Sequence, residues 1–248
     1  MNAPDPVVFI HDDEIFIRMT PIERWHHILL AASFVVLLIT GLLAMFGRGA
    51  GHAWRGILHR SAALVLIGNF VWHLSYTVLT DRGRRNLRDL RPRRQDGRDV
   101  LSLFRRRAPY PEFGRFGVAE KFEYWSLIWG SIVMIATGFF MWVPGLSLRL
   151  FPLALHQVFV VIHGYEAILA FLAVLIWHMY TVHLKPGVFP MSSVWLDGRI
   201  TGANLKRFHP LEYCRLWEDR ERLYMELLLR DAGPERPGPD GPEPPAAL

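Results

Sequence analysis

Uncharged and largely apolar residues run unbroken through four stretches, residues 25–47, 61–80, 124–148 and 167–184, which are 23, 20, 25 and 18 residues long. A helix needs about 20 such residues to cross the hydrocarbon of a bilayer. Only Glu166 separates the fourth stretch from a further uncharged segment, 150–165, so that span is longer than its own 18 residues. Backbone groups in lipid must be bonded within the segment, which leaves helices for stretches this continuous. The pattern predicts an all-α, integral membrane four-helix bundle with spans at about 21–46, 54–79, 122–143 and 153–184. Pro21 suits a first helical turn, whereas Pro144 and Pro186 end the third and fourth helices. Tyr124, Trp125 and Trp142 fall at the ends of the third helix, the depth that amphipathic rings favour. Gly130 and Gly138 on that helix would allow a close helix contact.

Outside the spans the pattern gives an N-terminal segment over 1–20, a connecting loop over 80–121 and a C-terminal segment over 185–231. Leu211, Leu216, Leu223 and Leu227 recur there with helical periodicity, so a short amphipathic helix is expected over 209–230, after a loop-like 185–206. The Pro- and Gly-rich tail 232–248 is expected to be disordered. The first apolar block follows more than twenty residues that include Asp5, Asp12, Asp13, Glu14 and Glu23 and is too long for a signal core, so it reads as a retained span. No internal repeat is evident.

Charge then orients the bundle. Of 28 basic residues, 13 lie between Asp81 and Lys121, whereas the loops on the other side hold only Arg48, Arg55 and Arg149. The positive-inside rule therefore places the 80–121 loop, and with it both termini, on the cytoplasmic side. The same basic loop suits anionic lipid headgroups, at about 1 kcal/mol per residue near the surface. Net charge of +5 therefore does not point to nucleic acid, since the excess sits in one membrane-flanking loop. The single cysteine, Cys214, excludes a disulfide framework and the Cys-x-x-Cys-His attachment of a c-type haem.

Histidine carries the chemistry. Seven of the 11 histidines lie in or at the ends of the spans: His26, His27, His59, His73, His163, His178 and His183. Ionisable groups in the membrane are rare and by default functional. His59 and His73 are 14 residues apart, within about 40° of one face and about 21 Å apart in depth. His163 and His178, 15 apart, lie about 60° from one face and about 22 Å apart. Two helices thus carry histidines at matching depths, His59 and His163 near the outer surface, His73 and His178 near the inner one, where His27 joins them. Facing imidazoles in a bundle core suit bis-histidine ligation of b-type haem. Two haems at two depths would give an electron path across the membrane. Zinc needs ligands clustered about 2 Å from one ion, which this separation does not offer. A rival reading is a non-redox transporter or sensor in which histidines and Glu166 form a proton or metal relay. His11, His26, His52, His156 and His209 are read as ordinary hydrogen-bonding residues at span ends or in loops.

Particular strings carry a resemblance. ERWHHILLAASFVVLLITGLLAMF (23–46) resembles the first span of the di-haem cytochrome b subunits of respiratory formate dehydrogenase, Ni-Fe hydrogenase and thiosulfate reductase, with Arg24 and His27 at the family's spacing. LHRSAALVLIGNFVWHLSY (58–76) resembles their second span. EKFEYWSLIWGSIVMIATGFFMW (120–142) and HGYEAILAFLAVLIWHMYTVHLKPGVFP (163–190) resemble a branch associated with multihaem c-type cytochromes. The resemblance covers about 17–213. It implies a respiratory membrane subunit passing electrons between the quinone pool and a periplasmic partner, either a multihaem cytochrome c or an iron-sulfur/molybdenum subunit. For the ligands it implies His59 with His163 and His27 with His178, as in formate dehydrogenase. The bc-type alternative pairs His73 with His178 instead, and surplus histidines such as His73 and His183 would allow a third haem.

Glu166 is the acid well inside a span and would serve as a proton relay for quinone, pair with Arg55, Arg60 or Tyr165, or answer a haem propionate through water. Arg24, Arg55, Arg60 and Arg149 are candidates to pair with haem propionates.

Overall fold

A computed structural model describes residues 13–47, 53–103 and 111–231. His11, His52, Arg48, the run 105–107 and the tail 232–248 lie outside the described residues. The chain runs β1 (Ile15–Ile17), α1 (Pro21–Phe46), α2 (Ala53–Leu79), α3 (Asp81–Leu90), α4 (Arg94–Leu103), α5 (Val118–Trp142), α6 (Pro144–Leu150) and α7 (Leu153–Leu172). A wider π-helical segment (Ala173–Leu184) continues α7, followed by α8 (Val194–Asp197), β2 (Arg199–Thr201), α9 (Gly202–Phe208) and α10 (Pro210–Asp231). Four helices are long and apolar enough to span a membrane: α1, α2, α5, and α7 joined to its π segment. The protein is thus an all-α membrane bundle.

Local signals set the helix ends. The Glu23 N–H donates to Thr20 Oγ1 (3.3 Å) and the Thr20 N–H donates to the Glu23 carboxylate (2.8 Å), a complete capping box at the start of α1. In α5 the Glu120 carboxylate accepts the Gly117 N–H (2.7 Å), which starts the helix at Val118, ahead of the apolar stretch.

Small and polar residues bring the helices together. His26, Ser33 and Thr40, seven apart, are buried on α1, as are Ala62, Asn69 and Thr77 on α2. Such residues let backbones approach in lipid, where Leu gains nothing over its surroundings. His26 and Asn69 lock the two helices reciprocally: His26 Nδ1 donates to Asn69 Oδ1 (3.0 Å) and Asn69 Nδ2 donates to the His26 carbonyl (3.0 Å). The bundle is thereby built as two hairpins, α1 with α2 and α5 with α7, which touch each other only lightly. Among the described residues the buried hydrophobics are Ala62, Leu90 and Leu205, and only Ala62 lies in a span. A four-helix bundle ordinarily fills its centre with apolar side chains. Here polar and small residues, not large apolar ones, are the buried residues of the spans among those described.

The end carrying the basic 80–121 segment is more structured than a plain loop. Thr80 caps α3 through the Gly83 N–H (3.0 Å), and Arg82 grips Glu23 of α1 by three bonds of 3.0–3.1 Å. Lys121 and Asp96 pair at 2.6 Å. Segment 185–206, expected as loop, contributes β2, which pairs antiparallel with β1. Gly198 makes this possible: at φ 77° its carbonyl accepts the N–H groups of Arg18 (2.8 Å) and Met19 (3.1 Å). Beneath the ribbon, Glu212 of α10 is clamped between Arg18 and Arg115. Burial alone would raise the Glu212 carboxyl, but the two guanidinium groups hold it below the usual carboxylate value. Burial, and then the Arg18 charge, pushes the His209 imidazole below its usual value.

Candidate functional site

Four histidines meet across the gap between the hairpins, in two pairs. His59 of α2 faces His163 of α7 with ring centroids 6.4 Å apart and planes at 63°. His27 of α1 faces His178 of the π segment at 6.3 Å and 33°. Imidazole nitrogen binds a first-row metal at about 2 Å, so two rings sharing one axially ligated ion place their centroids about 6 Å apart. Both pairs stand at that separation. Bis-histidine ligation leaves the ring planes free to rotate about the axial direction, so the two interplanar angles are both admissible.

The hydrogen bonds behind the rings select the nitrogen that faces the gap. Thr40 Oγ1 donates to the Val36 carbonyl (2.7 Å), so its oxygen is left to accept from His59 Nδ1 (2.8 Å). Thr137 repeats the arrangement on α5, donating to the Val133 carbonyl (2.7 Å) and accepting from His163 Nδ1 (2.9 Å). His178 Nδ1 donates to the Glu123 carboxylate (3.1 Å), which also accepts from Thr181 Oγ1 (2.7 Å). With the Nδ1 proton committed, each of these three rings presents a bare Nε2, the state a metal ligand requires. Glycines keep the outer rings accessible: a Cβ at Gly138 would lie 3.1 Å from His163 Cε1, and one at Gly41 would lie 3.7 Å from His59 Cε1.

The surroundings fit a propionate-bearing macrocycle at the inner pair. His27 Nδ1, His183 Nδ1, Arg24 Nε and Trp195 Nε1 are all buried without a partner. Trp195 stands 6.0 Å from His27, ring to ring, and Arg24 bonds the neighbouring Leu196 carbonyl. Unpartnered buried donors are costly, and anionic acceptors would satisfy them.

His73 belongs elsewhere. Its Nε2 lies 3.3 Å from the Tyr124 hydroxyl and 3.5 Å from Thr77 Oγ1, turned to these groups and not to His178. Its ring packs edge-on against His26 at 5.4 Å. His183 stands 6.0 Å from His178, not with His73. Five residues would be about 140° apart on an α-helix but fall close to one face on the wider π turn.

The remaining candidates are dispersed. Arg55 donates to the Leu43 carbonyl (3.0 Å), and Arg60 bonds the Gly56 carbonyl (3.1 Å) while its guanidinium lies over Trp142. Arg149 is exposed on α6. Glu166 projects toward Gly130, where a Cβ would meet its carboxylate at 3.0 Å, and makes no ion pair with Arg55 or Arg60 among the described residues. His156 bonds Ser147 Oγ (2.9 Å), His209 bonds the Gly114 carbonyl (2.8 Å), and His26 holds Asn69.

Sequence reasoning passed over Thr40, Thr137 and Glu123. A signal for the threonines exists: a Thr-Gly pair occurs in ITGLL and in ATGFF, each threonine 17 residues after the glutamate that caps its helix. This local correspondence between α1 and α5 qualifies the absence of an evident repeat. Glu123 has the weaker signal of an acid one turn inside an apolar helix.

A family model described as prokaryotic cytochrome b561 matches residues 18–190. No curated protein matches the chain. The matched stretch takes in all four apolar helices and both histidine pairs, and the chain belongs to the prokaryotic cytochrome b561 family, multi-pass bacterial membrane proteins that bind b-type haem and transfer electrons.

Proposed function

We propose that the protein holds two b-type haems, one between His59 and His163 and one between His27 and His178. It would relay electrons across the bacterial inner membrane between the quinone pool and a periplasmic redox subunit. The observation that carries this reading is the pair of open imidazole gaps, 6.4 and 6.3 Å between centroids, with bare Nε2 atoms selected by Thr40, Thr137 and Glu123. The Nε2 of His73, turned to Tyr124 and Thr77, favours His27 as the inner ligand and speaks against a third haem on His73.

When bound, haem supplies one-electron exchange at iron. The chain's own residues fix the rest. Thr40 and Thr137 orient the outer imidazoles without adding charge. Arg24 and Trp195, with unpartnered buried nitrogens, would hold propionates at the inner site, and Arg149, with Arg55 and Arg60 turned from their present contacts, would do so at the outer one. Glu166, which has no ion pair among the described residues, would pass a proton to a quinone bound beside Gly130. The basic segment orients the bundle with its termini in the cytoplasm and rests on anionic headgroups. The partner is read as a multihaem cytochrome c or an iron-sulfur/molybdenum subunit, where any substrate chemistry would reside. The metal form of the rival relay reading gains little, because among the described residues no three His, Cys, Asp or Glu are grouped to hold a metal ion.

Haem quantitation on the purified protein, with a reduced-minus-oxidised spectrum, tests the proposal. Two haems per chain, released by acid acetone, are expected. A protein carrying zinc without a Soret band, or haem that stays attached, would defeat it.

A further inference from the structure

We infer that Glu123 is a positioning residue that lowers the reduction potential of the haem held by His27 and His178, setting that site apart from the outer one. The inference rests on the di-haem reading above. The two sites are backed by different chemistry. Behind His59 and His163 stand threonine hydroxyls, neutral groups whose own protons go to helix carbonyls. Behind His178 stands a carboxylate, Oε2 at 3.1 Å from Nδ1, with Oε1 pinned by Thr181 at 2.7 Å. No arginine or lysine pairs with Glu123 among the described residues; its ion-pair partner is His178 itself. The carboxylate side chain is 20% exposed, so water screens it only in part.

Two effects act with one sign. A carboxylate accepting from Nδ1–H draws the proton away from the ring and makes Nε2 a stronger donor, as outer partners of metal-ligating histidines do. Its negative charge also stabilises the more positive oxidation state of a nearby ion. Both favour oxidised iron, and at the outer pair neither ring is backed by a carboxylate: Thr40 and Thr137 take that place, and Glu166, three residues after His163, is directed at Gly130. The residue in the equivalent place on α1, three after the capping glutamate, is His26, whose Nδ1 is spent on Asn69. The difference in what backs the paired rings therefore comes down to Glu123.

Glu123→Gln keeps the amide carbonyl as an acceptor and removes the charge. In purified holoprotein, potentiometric titration should resolve two components, and loss of one in His178→Ala identifies the inner haem. With Glu123→Gln, that component should shift toward reduction at least tenfold, about 59 mV for one electron, while the other stays in place. The low-spin electron paramagnetic resonance signal of the oxidised protein should change for the same component alone. A merely structural role predicts neither change, because the hydrogen bond survives. Both haems retained with both potentials unmoved overturns the inference. Should the glutamine variant lose the inner haem, Glu123→Asp decides: haem held at the wild-type potential supports it, and haem lost or raised in potential overturns it. A wild-type protein with two haems per chain but a single component also overturns the inference, whereas fewer than two haems per chain defeats the di-haem reading instead.

Discussion

Replacing Gly138 by alanine adds one methyl group against the ring of His163. That methyl would lie 3.1 Å from His163 Cε1 and 3.6 Å from Nδ1. Carbon atoms rest at about 3.5–4.0 Å, so the ring must yield by roughly half an ångström. The bond from Nδ1 to Thr137, 2.9 Å long on the same ring, opposes the movement. Forcing a side chain about 30° from its rotamer costs about 0.5–1.5 kcal/mol, which is roughly a 2- to 12-fold weaker hold on the outer haem. Gly41→Ala is the internal control, since its methyl would meet His59 Cε1 at 3.7 Å, an ordinary contact. Alanine is favoured over glycine in helices by about 0.8–1.0 kcal/mol, so neither change should lower the stability of the bundle itself. The assay is transfer of haem from each purified variant to an excess of apomyoglobin, followed at the Soret band. Gly138→Ala should release the outer haem faster than wild type, with the inner haem and Gly41→Ala unchanged. Equal release from both variants, or faster release from Gly41→Ala, refutes the reasoning.

His59→Ala and His163→Ala should each remove the same redox component and about half the haem, while His27→Ala and His178→Ala should both remove the other; different components lost within a pair would break the pairing. His73→Ala should leave haem per chain unchanged, and loss of a third, distinct component from that variant would restore the three-haem alternative. At the basic end, His209 and Glu212 both titrate below their usual values. A depressed group contributes stability above its unfolded-state value and loses it as pH falls through the folded one. Docking of α10 should therefore weaken on acidification, first below about pH 6.5 and again below about pH 4.3, as read by limited proteolysis of the C-terminal segment; protection that rises toward acid contradicts this. Glu212→Ala leaves Arg18 and Arg115 facing each other in a largely buried place and should cost about 3–5 kcal/mol locally, measured as faster amide exchange in α10.

The spans were legible because lipid imposes one rule on them, and uninterrupted apolar length reveals it without any knowledge of packing. The histidine pairs were legible by depth, since residue rise converts spacing to height. Which inner histidine faces His178 was not, because that depends on which way each ring is turned, and the hydroxyl of Tyr124 decides it for His73 from another hairpin. Thr40 and Thr137 stayed hidden for a similar reason. A threonine in an apolar helix usually bonds back to its own carbonyls, and only the facing helix shows that its oxygen also holds a ring. The ribbon of β1 and β2 was out of reach, as three-residue strands lie too far apart in sequence for any local pattern to pair them.

The wide turn in the fourth span makes that helix a place where length can be adjusted. On α2 the two histidines are 14 residues apart along an ordinary α-helix, whereas on the fourth span they are 15 apart with the π segment beginning between them. A π turn holds roughly one more residue than an α turn, so the surplus residue is stored there without turning the lower histidine off the inward face. Deleting one residue between Ala173 and Trp177 would return the stretch to the spacing of α2, leave His178 facing His27, and carry His183 about 140° away from it. The same deletion in α2, which has no such store, would swing His73 and everything beyond it by about 100°. Of the two helices that carry histidines at both depths, only the fourth can lose a residue and still present both.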